Sequence, residues 1–272
     1  MKVCLCTIGK QENLYAKEYV SHYKKYNIDQ LIIYDNNEIN GERFEDVISD
    51  YISSGFVKII DIRGKISQQL KIYQHCLDNY KNEFDWLIFY DMDEFIYLKG
   101  MNNIKYYLSN PAFQKCQAIQ LNMYFHTDNN KLYYENKTLF ERFPERITSK
   151  QGVLKTIIKG GINTKIICPH ELNKKLVSCD GFGYFNIKFK HVITTDKPDF
   201  KYYYIDHYSY KSTEEFIKKI MRGSAIKGFE IEMKYRKICW YFGVNKVTKQ
   251  KIDLIERLTK LNLSSYKSRI KN

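Results

Sequence analysis

Residues 85–98 read DWLIFYDMDEFIYL and set four acidic side chains among some of the most apolar residues of the chain. Asp91, Asp93 and Glu94 follow the most hydrophobic run. Unpaired carboxylates are costly to bury, so this stretch calls for a cation, a strong set of donors or an edge open to water. The run WLIFYD at 86–91 is the fourth of its kind. VCLCTI at 3–8, LIIYD at 31–35 and VKIIDI at 57–62 precede it, with helical patterns over 12–26, about 42–54 and 66–80 between them. The resulting β-α-β-α-β-α-β order, built from strands that are apolar throughout, predicts a parallel sheet covered on both faces and joined by right-handed crossovers. Ligands bind such sheets beyond the carboxyl ends of the strands. The loops at those ends are TIGKQEN, DNNEING, RGKISQQ and DMDEF, all four polar.

Beyond residue 100 the pattern is less regular. AIQLNMYFH at 118–126 and YYYIDHYSY at 202–210 are aromatic-rich, and KGGINT at 159–164 reads as a flexible loop. These features predict a second half of mixed or antiparallel strands facing substrate. From Ser212, STEEFIKKIMRG reads as a helix start with acids in its first turn. The chain therefore divides into a domain over 1–210, with halves 1–100 and 101–210, and a basic helical region over 211–272.

A chain of 272 residues with 44% hydrophobic and 15% aromatic content can bury a sizeable core, which excludes a disordered protein. The net charge of +13 is concentrated at one end. Residues 211–272 hold 16 Lys and Arg against 6 Asp and Glu, leaving +3 for the rest. A solvated helical surface accounts for such a run; attraction to anionic lipid head groups is the sharper reading. Nucleic acid is not expected, because no groove-reading motif accompanies the charge. Seven Cys without a CxxC, Cys4 and Cys6 sharing one strand face, and an N-terminal apolar run too short for a signal peptide point to a reducing compartment. The expected location is cytoplasmic, compatible with peripheral attachment to the inner membrane.

The first loop has neither GxGxxG nor GxxxxGK[ST], so phosphates must be held by other means. A divalent cation on the DMD carboxylates, bridging to a diphosphate, is the direct alternative; Mn2+ or Mg2+ suits such oxygen ligands. In an extended segment Asp91 and Asp93 point the same way and Met92 points into the core.

DMDEF after an apolar strand, TIGKQENLYAKEYVSHYKKYNIDQLIIYDNN at the N-terminus and DHYSYKSTEEFIKKIMRG near 210 together resemble the GT-A-fold glycosyltransferases, and more narrowly bacterial members of glycosyltransferase family 92 and related family-2-like enzymes. The resemblance covers about residues 3–225. It implies an α/β fold of GT-A type: a Rossmann-like nucleotide-binding half on a mostly parallel sheet, a mixed acceptor half and C-terminal helices. It also implies residue roles. Thr7 and Glu12 would face the nucleobase and ribose, Asp35 and Asn37 would extend that pocket, and Gln69 would lie beside the nucleotide. Asp91 would contact ribose or metal, Asp93 the metal and Glu94 the donor sugar. His207 matches the late His that completes the metal site, and Lys211, Lys218 and Arg222 are candidates for the diphosphate. His170 matches a position near acceptor or donor sugar.

The implied reaction moves a sugar from a nucleoside diphosphate sugar, UDP foremost, to a glycan or glycolipid acceptor with inversion, in bacterial surface polysaccharide or lipooligosaccharide synthesis. The acceptor hydroxyl attacks opposite the departing nucleotide while a base removes its proton. Asp180, Glu171 and His170 are the candidates for that base. Two rivals stay open on the residues alone. One is a metal-dependent nuclease or phosphodiesterase using the acidic cluster and basic tail; the other is a non-catalytic carbohydrate-binding α/β domain.

Overall fold

The computed structural model describes residues 1–148, 153–170, 172–185, 200–222 and 231–267. The chain forms two compact units, Met1–Tyr124 with Thr148–Asp206, and Phe125–Ile147 with His207–Asn272.

The first unit opens with β1 (Val3–Gly9), α1 (Asn13–Lys25), β2 (Gln30–Asp35), α2 (Glu45–Ser53), β3 (Val57–Asp61), α3 (Gln69–Tyr80) and β4 (Trp86–Phe89). This is the alternation the sequence pattern predicts. β1 pairs in parallel with β2 and β4, and β2 with β3. There follow β5 (Glu94–Leu98), α4 (Ile104–Leu108), β6 (Ala118–His126), β7 (Arg146–Thr148), β8 (Leu154–Lys159), β9 (Ser178–Asp180) and β10 (Tyr203–His207). The sheet order is β3-β2-β1-β4-β8-β6-β10-β5, with β7 and β9 off that path beside β6. β8 runs antiparallel to β4 and to β6, so the later strands make the sheet mixed.

Period-two alternation decides which side chains meet which helix. Cys4, Cys6, Ile32, Tyr34, Leu87 and Phe89 share a core cluster with Ile72, Tyr73, Cys76 and Leu77, the buried stripe of α3. α1 buries Tyr15, Ala16, Tyr19, Val20 and Tyr23. The Tyr19 ring meets Phe95 edge-on at 5.5 Å, and the Tyr23 hydroxyl donates to the Glu94 carbonyl at 2.7 Å, which fixes the start of β5. Cys116 and Cys179 form a disulfide, a pair that sequence spacing does not reveal.

The second unit contains α5 (Leu139–Arg142), α6 (Thr213–Met221), α7 (Ile231–Val244), α8 (Lys249–Thr259) and α9 (Ser264–Lys267). Ser212 caps α6 in a reciprocal box with Glu215, as the STEE pattern predicts. Phe216, Ile217 and Ile220 of α6 share a core with Ile238 and Tyr241 of α7 and Ile252 and Ile255 of α8. Residues 125–147 belong to this unit as well. Arg142 forks onto Glu215 at 2.8 and 3.1 Å, both groups fully buried. Asp128 is a second hub, with the Tyr241 hydroxyl and the Lys251 ammonium each 2.5 Å from its Oδ2. The C-terminal region is therefore a packed helical unit with buried charge pairs. Among the described residues no helix is long and apolar enough to cross a membrane.

His22 of α1 supplies a pH handle on the first unit. Its Nε2 lies 2.9 Å from the Ile96 carbonyl, so that nitrogen carries the proton and donates. Burial lowers its pKa from 6.5 to about 4, despite the opposing pull of that carbonyl. Between those values the unfolded chain binds more protons than the folded one, so stability is full above the upper value and is lost as pH falls toward the lower. The expected loss is up to ~1.4 kcal/mol per pH unit in that window. Urea unfolding of wild type and His22→Gln across it should show a stability that falls more steeply with pH in the wild type than in the variant, by up to that amount.

Candidate functional site

The four loops at the carboxyl ends of β1 to β4 are tied to one another sideways. Asn37, after β2, accepts the Gln11 N–H of the β1 loop on Oδ1 at 2.6 Å. Asn36 receives no side-chain assignment from the sequence, yet its amide donates to Ile62 and Lys65 of the β3 loop at 3.3 and 2.6 Å. Asp35 ends β2 and accepts the Asn37 N–H at 2.9 Å, with the Arg63 guanidinium 4.0 Å away. Burial raises the Asp35 pKa against those two attractions. Gly9 ends β1 where a Cβ would strike the Phe44 ring, so no larger residue fits this approach. Thr7 and Glu12 are buried at the same edge, Thr7 within β1 and Glu12 at the N-cap position of α1 without a side-chain cap bond. The side-chain Nδ2 of Asn37, buried with its residue, has no hydrogen-bond partner among the described residues. A buried donor of this kind is costly to leave unmade, so it marks a place for an acceptor atom of a ligand.

The acidic motif does not continue as a strand. β4 stops at Phe89, and the Glu94 N–H returns to the Asp91 carbonyl at 3.0 Å in a turn. The expectation that Asp91 and Asp93 share a face as neighbours in an extended segment fails here, although Met92 is buried as expected. In the turn Asp91 is held from several sides. Its Oδ1 accepts from Gln69 Nε2 at 2.7 Å and the Tyr73 hydroxyl at 3.0 Å, two groups one turn apart on α3. Its Oδ2 lies 2.9 Å from the ammonium of Lys155 on β8.

Lys155 also lies 3.1 Å from Glu94 Oε2, and that same oxygen accepts the Asp91 N–H at 2.9 Å. Lys155 and Glu94 are fully buried, whereas the Asp91 side chain is 29% exposed. Burial by itself raises Asp91, but Lys155 overcomes it and holds the carboxyl below its ordinary range. Burial also dominates at Glu94 and pushes it well up, with Lys155 pulling the other way. For Lys155 the two carboxylates outweigh burial and keep it protonated. Asp93, 5% exposed, and Glu94 offer carboxylate oxygens for a metal, the hard donor set that Mn2+ or Mg2+ prefers. A positive charge on His170 adds a smaller pull on Asp91 in the same direction as Lys155.

The remaining candidates divide. Asp180 accepts the N–H groups of Phe182 and Tyr184 at 2.9 and 3.0 Å and so organises its own turn. Glu171 lies outside the described residues. In the second unit, His207 ends β10 with its ring 5.1 Å from Phe125. Lys211 is buried just before the α6 cap with φ of 54°. Lys218 is exposed and pairs along its helix with Glu214 at 2.9 Å. Arg222 is the half-buried C-cap of α6.

With the strand-end loops and acidic turn in place, the family comparison is decisive. The model of glycosyltransferase family 92 matches residues 1–239. The chain belongs to glycosyltransferase family 92. A family 92 protein of Ricinus communis is 22% identical over 228 residues, covering 81% of this chain and 38% of that protein. The galactan beta-1,4-galactosyltransferase GALS2 of Arabidopsis thaliana is 28% identical over 96 residues, 32% of this chain and 18% of its own length. The chain thus spans less than two fifths of the length of these curated relatives. Among solved structures, S. aureus TarS overlays with a TM-score of 0.42 at 13% identity, over 99% of this chain and 50% of that one.

The family 92 sequence pattern pointed to Gln69 and Asp91. It did not point to Tyr73 or Lys155. Tyr73 had a faint signal, four residues beyond Gln69 on the same helical face. Lys155 had only its position inside the apolar run LKTIIK, which names no partner. Gln69→Leu should remove a charge-assisted hydrogen bond to a carboxylate that is partly open to water. A loss of about 1–2 kcal/mol in urea unfolding is expected.

Proposed function

We propose that this chain is a metal-dependent glycosyltransferase that moves a sugar from a nucleoside diphosphate sugar, UDP foremost, to a glycan acceptor with inversion. The observation that carries the reading is the acidic turn at the carboxyl end of β4, built on a chain that belongs to family 92. The same membership speaks against the nuclease and the binding-only alternatives. The sugar is open, and the galactosyltransferase named among the relatives makes UDP-galactose the first donor to try. For the acceptor we favour a bacterial surface polysaccharide or lipooligosaccharide on the resemblance alone; the cytoplasmic location proposed with it is opposed by the Cys116–Cys179 disulfide, a bond typical of oxidising compartments.

In this reading Thr7, Glu12, Asp35 and Asn37 form the nucleoside pocket, where the open Asn37 amide has a hydrogen bond to give. Asp93 is the leading metal ligand, and His207 is the proposed imidazole ligand. Lys211 and Arg222 stay as diphosphate candidates; the surface pairing of Lys218 with Glu214 argues for a solvated role there. A bound divalent ion would offset the negative charge that grows on the diphosphate as the sugar departs. The base is proposed to be His170, because two backbone donors engage Asp180 Oδ1 in its own turn, whereas a charge on His170 is felt by Asp91 of the acidic turn.

The second unit supports the membrane reading with a specific face. Met233, Arg236 and Trp240 fall at helical spacing on α7 with Met233 and Trp240 exposed, and the Arg236 guanidinium lies 4.8 Å from the Trp240 ring centre. Lys234 reaches the exposed Met221 at 3.6 Å. Trp with Met and cations suits the boundary between head groups and acyl chains.

A thermal-shift series with UDP, UDP-galactose and UDP-GlcNAc should show stabilisation that requires Mn2+, because a ligand of the folded state raises its melting temperature. Asp93→Asn should lose that shift. His170→Ala should keep it and lower sugar transfer by about 10²–10⁴-fold, the usual worth of a general base. A shift indifferent to Mn2+ would sink the metal role. For the membrane face, surface substitution is the suitable probe, since removing α7 and α8 strips the core of the second unit. Trp240→Ser with Arg236→Ser should weaken sedimentation with phosphatidylglycerol vesicles by about tenfold or more at ~0.1 M salt. Unchanged sedimentation would make the face a solvated surface only.

A further inference from the structure

Two buried polar residues face each other in the apolar middle of the sheet. Gln120 of β6 and Thr156 of β8 are partners in the antiparallel register, and both are fully buried, Gln120 between Ile119 and Leu121 and Thr156 beside Ile157. Apolar side chains of similar size would fill those places at less cost, because each polar group taken from water must recover its hydrogen bonds inside. What the pair reaches is the backbone of His170. Thr156 Oγ1 contacts the His170 carbonyl oxygen and lies 2.8 Å from Gln120 Oε1. We propose that Thr156 and Gln120 are positioning residues, a relay of hydrogen bonds that pins the backbone at His170 and so aims its imidazole at the acceptor hydroxyl; this rests on the assignment of His170 as the base.

Proton counting gives the relay its direction. A hydroxyl carries one proton, and the groups facing Oγ1 are a carbonyl, which only accepts, and a carboxamide, which donates or accepts according to the end it presents. The His170 carbonyl therefore takes the Thr156 proton, and the Gln120 carboxamide serves Oγ1 by turning its NH2 toward it in place of its oxygen. That turn gives a partner to Gln120 Nε2, a buried donor that otherwise has none among the described residues. A carbonyl oxygen is left in its stead, the less costly group to leave unpaired. The chain around His170 is built to transmit the hold. Cys168 and Leu172 flank it in an antiparallel bridge with N–H to O=C bonds of 3.1 and 3.3 Å, and Leu172 is fully buried at a φ of 55°, a conformation uncommon outside glycine. Upstream, Gln74 of α3 accepts the Ile166 N–H at 2.7 Å. With both flanks fastened, the bond to the His170 carbonyl sets the peptide plane from which the imidazole projects. Thr156 is also the chain neighbour of Lys155, which holds Asp91, so one strand spaces the base from the acidic turn.

The test follows UDP release by the full chain from UDP-galactose, UDP-glucose and UDP-GlcNAc with Mn2+, methyl β-galactoside or water serving as acceptor. Thr156→Val should lower kcat about 10–100-fold and keep KM for the donor within about threefold, the cost of a base held out of line. Thr156→Ser, which retains the hydroxyl, should stay within about threefold of wild type, and UDP should raise the melting temperature of both variants as it does that of wild type. On a His170→Ala background Thr156→Val should change kcat by less than about twofold, since a residue that acts through another has nothing left to position. Two results overturn the proposal: Thr156→Val with wild-type kcat, or Thr156→Val that lowers kcat as much without His170 as with it. Should Thr156→Val fail to fold, Gln120→Met, near in length and without the amide, goes through the same cycle with the same two overturning results. If neither folds, the pair is a clamp of the core and the proposal falls. His170→Ala with wild-type kcat overturns the base assignment instead, and wild type that turns over none of the three donors overturns the transferase reading itself.

Discussion

One ammonium makes the acidic turn compatible with its surroundings. Three carboxylates within four residues, two of them on buried residues, could not sit at the end of an apolar strand without a compensating charge, because desolvating an ion exceeds what a single weak contact returns. Lys155 supplies that charge from β8, a strand separated from the turn by more than fifty residues of chain. β8 can do so because it lies antiparallel to β4, so its Lys155 passes the point where β4 gives way to the turn.

Around that ion pair the strand-end loops support each other. α3 contributes Gln69 and Tyr73 to Asp91 from the far side, and its apolar stripe is fixed against β1, β2 and β4. The β1, β2 and β3 loops are joined through Asn37 and Asn36. Each link is a hydrogen bond from one loop to the next, so the edge behaves as a connected rim and the rotamers of the candidate residues are held by neighbours. That arrangement suits a ligand whose parts must be placed together: a base, a ribose and a charged diphosphate. The Asn37 amide is a buried donor at this rim without a hydrogen-bond partner among the described residues.

The second unit follows another logic. Its charges are partly internal: Arg142 with Glu215, and Lys251 with Asp128, are buried and hydrogen-bonded. Such pairs are poor sources of net stability, but breaking one is expensive, so they favour a single arrangement of helices. The excess of basic residues then falls on the outside of a structured body. A flat count of charge along the sequence does not separate those two populations.

The sequence by itself determined the first four strands and three helices, because apolar runs and helical periodicity are local signals and the crossovers leave little topological choice. It also determined the capped start of α6, where Ser212 and Glu215 are three residues apart, and it placed the acids at the ligand edge of the sheet. Tertiary structure decided the rest. Whether DMDE is strand or turn, which carboxylate meets Lys155, that Asp180 serves its own turn, that Cys116 bonds Cys179, and that residues 125–147 join the C-terminal helices all depend on segments distant in the chain. The physical reason is that a hydrogen bond or ion pair is made by the group that arrives at about 3 Å, and only the folded chain brings Lys155 there.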